Sequence, residues 1–131
     1  MLLELKDKID ARRRRHLNNG QIAVDLDGTL AYHTSWVALD VIVDPILPMV
    51  ERVKVFIAQG YDVVIFTARL SDDPDGIADR AIREWTKKHI GKELDVTCIK
   101  RKEFVEFWDD RGIQVIPNTG KTVLDEALLS L

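Results

Sequence analysis

Two aspartates one residue apart, Asp25 and Asp27 in the run Asp25-Leu26-Asp27-Gly28-Thr29, are the first residues whose types and spacing suggest chemistry. They close a short apolar run, Gln21–Leu26, that fits a buried parallel strand. Extended backbone with a period of two would point both side chains to one side. Two carboxylates placed that way repel each other and favour a bound cation. Mg²⁺ prefers hard oxygen ligands and keeps some of its water, so a few carboxylates and a phosphate suit it. A carboxylate is also a nucleophile toward phosphorus, giving an aspartyl-phosphate that water then hydrolyses. A second carboxylate can protonate the leaving oxygen and afterwards activate that water. Gly28 permits a tight turn and a close approach of backbone N–H groups to phosphate oxygens. The competing reading of the same five residues is a plain turn, since Asp-Gly is a common hairpin signal.

The elements that must position these residues alternate along the chain. Asp44-Pro45 marks a helix start, with an apolar face at Ile46, Met49, Val50, Val53 and Ile57 and a stop at Gly60. A second strand is expected at Tyr61–Thr67. A second helix follows Asp72–Gly76, with a stripe of Ile77 or Ala78, Ala81, Ile82, Trp85 and His89, and ends at Gly91. Further strands are expected at Leu94–Ile99, Phe104–Trp108 and Ile113–Ile116, and a last helix carries Val123, Leu124, Ala127, Leu128 and Leu131. Alternating strands and helices imply right-handed crossovers and a parallel sheet covered on both faces. The expected fold is a single Rossmann-like, three-layer α/β domain with a mainly parallel five-stranded sheet. In such sheets the site lies beyond the carboxyl ends of the strands. Three of the expected strands finish at Asp25–Asp27, at Thr67 and at Asp109-Asp110.

Four short signatures in this order, spread over Gln21–Ile116, resemble those of the haloacid dehalogenase superfamily of aspartate-nucleophile phosphohydrolases. Asp25-Leu26-Asp27-Gly28-Thr29 is similar to the first, which implies Asp25 as nucleophile and Asp27 as acid and base. Thr67, closing VVIFTAR, is similar to the second, a hydroxyl that holds the phosphoryl group. Lys100, after VTCI, resembles the third, a cation that offsets phosphoryl charge, and Lys102 is the other candidate for that role. Asp109-Asp110 resembles the fourth, the acidic pair that completes a Mg²⁺ site with Asp25 and Asp27; either member could touch the metal. The same resemblance implies substrate contacts from Gly28, Thr29, Ala68 and Arg69. The plain alternative for Thr67 is a strand-end threonine, and for the lysines ordinary surface charge.

The gaps between signatures are too short for an inserted cap domain, so an open site is expected. Within the superfamily the chain resembles small bacterial and phage members and the phosphatase half of polynucleotide kinase-phosphatases, the latter through the arrangement IREWTKKHIGKEL, a strand and DDR. The substrate is left open between small phosphate esters, nucleotides and nucleic-acid ends. The competing reading is a binding module of the same fold with little or no chemistry.

Composition sets the frame. The 131 residues are 46% hydrophobic and 31% charged, with a net charge of −3. That balance suits a soluble globular domain and argues against a surface built throughout for nucleic acid. Residues 1–19 read as a separate arm, with a Leu2, Leu5, Ile9 stripe followed by Arg12–Arg15 and a turn at Asn18–Gly20; residues 20–131 read as the catalytic domain. Four consecutive arginines could bind a phosphate backbone, although charge runs are usually solvated faces. One cysteine, Cys98, excludes an intrachain disulfide and reads as a small buried residue in a reducing compartment. No apolar run approaches the roughly 18 residues of a membrane span, and charges interrupt any signal-like N-terminus, so a cytoplasmic protein without membrane contact is expected. A homo-oligomer is left open. His33 and Trp36 lie close to the candidate site in sequence, Trp36 reading as a packing residue. Gly120-Lys121-Thr122 ends like a phosphate-binding loop, but Val115 stands where its first glycine is required.

Overall fold

The computed structural model describes residues 20–36 and 38–129; the stripe Leu2, Leu5, Ile9, the arginines Arg12–Arg15 and the terminal Leu131 lie outside them. Within 20–110, β1 (Gln21–Val24), α1 (Leu47–Ala58), β2 (Asp62–Phe66), a 3₁₀ turn (Ala68–Asp72), α2 (Ile77–Ile90), β3 (Asp95–Thr97) and β4 (Phe104–Trp108) follow in order. The four strands form one parallel sheet in the order β3-β2-β1-β4. The fold is therefore α/β.

Strand composition sets where the core sits. Ile22 and Val24 of β1, Val63 and Ile65 of β2, and Val96 of β3 alternate onto one face. Against it pack Met49, Val50, Val53 and Phe56 of α1 and Ala78, Ile82, Trp85 and Ile90 of α2. Both helices share this face because β1→α1→β2 and β2→α2→β3 step in the same direction, and right-handed crossovers then fall on one side. The expectation of helices on both faces is not met among the described residues of this unit. The second face carries Ala23, Val64 and Phe104, with the rings of Phe66, Phe104 and Phe107 packed at 5.5 to 6.0 Å.

A row of polar contacts ties the amino ends of the strands. Gln21 donates to Asp62, Arg101 donates to Gln21 and Asp95, and Arg83 of α2 donates to the other oxygen of Asp95. Partial burial of Asp95 works against its ionised form, but the hydrogen bonds from Arg101 and Arg83 outweigh it and hold the carboxyl below its usual range. Asp73 caps α2 through the amides of Ala78 and Asp79, at 3.0 and 3.1 Å.

Several elements differ from the sequence reading: β1 ends at Val24 and not Leu26, and β2 spans Asp62–Phe66 and not Tyr61–Thr67. Helix α1 begins after Ile46, not at Asp44, because Asp44–Ile46 is drawn into backbone pairing with Leu30 and Tyr32. Strand β3 stops at Thr97, two residues short of Ile99, where the chain bends back toward β4. Ile113–Ile116 adds no fifth strand: Val115 makes only an isolated antiparallel bridge to Thr122, so among the described residues the sheet has four strands. The described residues 111–129 belong to a second unit, whose helix α3 spans Val123–Leu129. No helix among the described residues is long and apolar enough to cross a membrane.

Ile82 is fully buried between α2 and the sheet. Ile82→Ala should cost roughly 2–5 kcal/mol, read as a lower urea midpoint at unchanged slope.

Candidate active site

The neighbouring positions of β1 and β4 build the site. Their register sets Val24 opposite Trp108, and the Asp25 N–H donates to the Trp108 carbonyl at 2.9 Å. Residues Asp109 and Asp110, next along the chain from β4, therefore leave the sheet beside Asp25. Carboxylate oxygens of Asp25, Asp109 and Asp110 lie within 4.8 Å of one another.

The turn after Asp25 is locked from below. Leu26, Leu30 and Ala31 are fully buried, and the Leu26 carbonyl accepts from the amides of Thr29, Leu30 and Ala31. Gly28 sits at φ +87°, and a Cβ built there would stand 2.5 Å from Asp110 Oδ2. Glycine at this position serves two ends: it adopts the left-handed backbone and it leaves room for the Asp110 carboxylate. The Thr29 hydroxyl lies 3.4 Å from both Asp25 Oδ2 and Asp110 Oδ1, between the two carboxyl groups.

Burial raises the Asp25 carboxyl above its ordinary value of 3.8 to about 7, with help from the Asp109 charge and a hydrogen bond with Asp110; the Leu26 amide opposes the rise. Such a cluster is suited to a shared proton or a cation. All its donors are hard oxygens, and their spacing needs only a small closure to reach a divalent ion that binds oxygen at about 2.1 Å.

Asp27 does not join this cluster. The chain leaves the extended conformation after Val24, with Leu26 in a turn, so the period-two argument that put both carboxylates on one side ends with the strand. The Asp27 carboxylate instead accepts from Arg69 Nε at 2.8 Å and Nη2 at 2.7 Å, while His33 Nδ1 lies 3.9 Å from its Oδ1. The Asp27 carboxylate is thus held apart from the cluster of Asp25, Asp109 and Asp110 carboxylates.

The remaining expected residues divide. Thr67 is buried at the exit of β2, where its hydroxyl oxygen accepts from the Arg69 amide and begins the 3₁₀ turn. A hydroxyl that accepts one bond still carries a hydrogen it can donate. Ala68 is exposed beside it. Arg69, expected to meet substrate, is 6% exposed and has its guanidinium turned inward. Lys100 lies three residues past the end of β3, its ammonium 5.3 Å from the Phe107 ring centroid on the second sheet face; Lys102 is exposed. Trp36 is 56% exposed, with the Arg69 guanidinium 5.1 Å from its ring, and is no core residue. Cys98 is half-buried. The Arg69–Asp27 pair was missed from sequence: a buried arginine needs a partner, but no local pattern shows that Arg69 turns inward.

No protein-family model matches the chain, and no curated protein matches it either. Among solved structures, it is similar to a conserved protein from Bacteroides thetaiotaomicron, at 26% identity and a TM-score of 0.53, covering 86% of this chain and 92% of that one.

Two outcomes follow from the geometry. In EDTA, raising the pH from about 4 to about 7 should cost stability, because folded Asp25 keeps a proton there that the unfolded chain has released. Melting curves of Asp25→Asn should lack that component. Gly28→Ala should destabilise by about 1 kcal/mol or more through the strained backbone, and should weaken any thermal shift produced by divalent cations, since the new methyl displaces Asp110.

Proposed function

We propose that the chain is a magnesium-dependent phosphomonoester hydrolase of the haloacid dehalogenase kind, without a cap domain and with the Rossmann-like layering of that superfamily. The observation that carries this reading is the convergence of Asp25, Asp109 and Asp110 at the adjoining carboxyl ends of β1 and β4. In-line attack by an Asp25 oxygen forms an aspartyl-phosphate and breaks the bond from phosphorus to the leaving oxygen. Asp27 supplies the proton that the leaving oxygen takes up. It then accepts a proton from the water that attacks the aspartyl-phosphate, which releases inorganic phosphate and restores Asp25.

Asp25, Asp109 and Asp110 would hold Mg²⁺, which neutralises charge on the nucleophile and on the phosphoryl oxygens. Thr67 donates its hydroxyl hydrogen to a phosphoryl oxygen. The amides of Gly28, Thr29 and Ala68 and the ammonium of Lys100 or Lys102 complete the charge balance, Lys100 after its stem swings off Phe107. Small esters, nucleotides and nucleic-acid ends are the candidate substrates, and Arg12–Arg15 would supply salt-sensitive contact with a polynucleotide. A cytoplasmic setting goes with this reading.

Phosphate release from an aryl phosphate, nucleotides and end-phosphorylated oligonucleotides tests it. Asp25→Asn and EDTA should each lower turnover by about 10³-fold or more. A chain that binds Mg²⁺ yet releases no phosphate above the Asp25→Asn background on every substrate would instead be a binding module.

A further inference from the structure

The Arg69 side chain makes five hydrogen bonds, and none of their acceptors belongs to its own turn. Nε and Nη2 take the two oxygens of Asp27 at 2.8 and 2.7 Å. Nη1 is shared by the carbonyls of Ala38, Leu39 and Val41 at 3.1, 2.9 and 2.8 Å. The Trp36 ring covers the guanidinium, whose carbon lies 5.1 Å from the ring centroid. A two-point grip fixes the plane of a carboxylate as well as its place, which a lysine at the same site does not do. An ionised carboxylate offers about four acceptor positions, so the grip leaves Asp27 able to take up and pass on a proton.

We propose that Arg69 is a positioning residue. It sets the Asp27 carboxyl plane toward the leaving oxygen and fixes the irregular segment of Ala38, Leu39 and Val41 to the same group. Arg69 does this without touching substrate: its side chain is 5% exposed. The residue after β2 anchors the arrangement, because Thr67 N–H donates to the Thr97 carbonyl of β3 and the Thr67 hydroxyl accepts from the Arg69 amide. This inference rests on the reading of Asp27 as the acid.

The dependence on leaving group separates positioning from general support. A nitrophenolate departs without a proton, whereas an alkoxide needs one. Arg69→Lys should therefore lower kcat on an alkyl phosphate about 10- to 100-fold more than on nitrophenyl phosphate, within the range that a positioned acid supplies. KM should change little on both. The ratio of the two rates is taken from one preparation, so a partly unfolded sample cancels out. If the lysine variant does not fold, Arg69→Gln with added guanidinium gives the same reading: rescue of the alkyl ester and not of the aryl ester. Equal losses on both esters, complete loss on both with the melting curve intact, or a rise in KM alone would overturn the role. Wild-type protein that turns over neither ester would remove the reading of the site, and the positioning role with it.

Discussion

Like charge gathered at one end of a sheet is the constraint around which this unit is arranged. Three carboxyl groups within 4.8 Å of one another oppose folding unless a proton or a cation sits among them. The backbone brings them together regardless: β1 lies between β2 and β4, and the bond from Asp25 N–H to Trp108 leaves no freedom to separate Asp25 from Asp109 and Asp110. Buried Leu26, Leu30 and Ala31 hold the turn against that repulsion. Burial first, and then the charge of Asp109, raises the proton affinity of Asp25.

Asp27 shows how the chain avoids adding a fourth charge to the same place. Its carboxylate is two residues from Asp25 in sequence, yet it belongs to a different electrostatic neighbourhood, made by a buried guanidinium. A single turn at Leu26 and Asp27 thus sorts two acids into two environments. On the proposed reading, the two environments would let Asp25 act as nucleophile once a cation sits in its cluster, and Asp27 as proton carrier.

Much of the framework was legible because apolar periodicity and glycine stops are local signals. Strands near Gln21, Tyr61 and Phe104 and helices ending at Gly60 and Gly91 follow from them. The acidic convergence was legible too, since strand ends in a parallel sheet share one edge. The misses are tertiary. Asp44-Pro45 has a good capping pattern, but pairing with Leu30 and Tyr32 claims its backbone. The apolar residues Ile113–Ile116 suit a strand, but they lie outside the sheet. Alternation foretold two carboxylates on one side of β1, and failed where the strand gave way to a turn. Arg69 was expected among the substrate contacts, and sequence does not reveal that its guanidinium meets Asp27 inside.

The hydrogen bonds along the amino ends of the strands have a consequence of their own. There, Gln21, Asp62, Asp95, Arg83 and Arg101 form a floor of opposite charges and matched polar groups, while the carboxyl ends gather like charges. Dissolved salt acts on both, and in opposite senses: it weakens attraction at the floor and relieves repulsion at the mouth. Rising ionic strength should therefore relieve strain at the mouth of the sheet while loosening its floor.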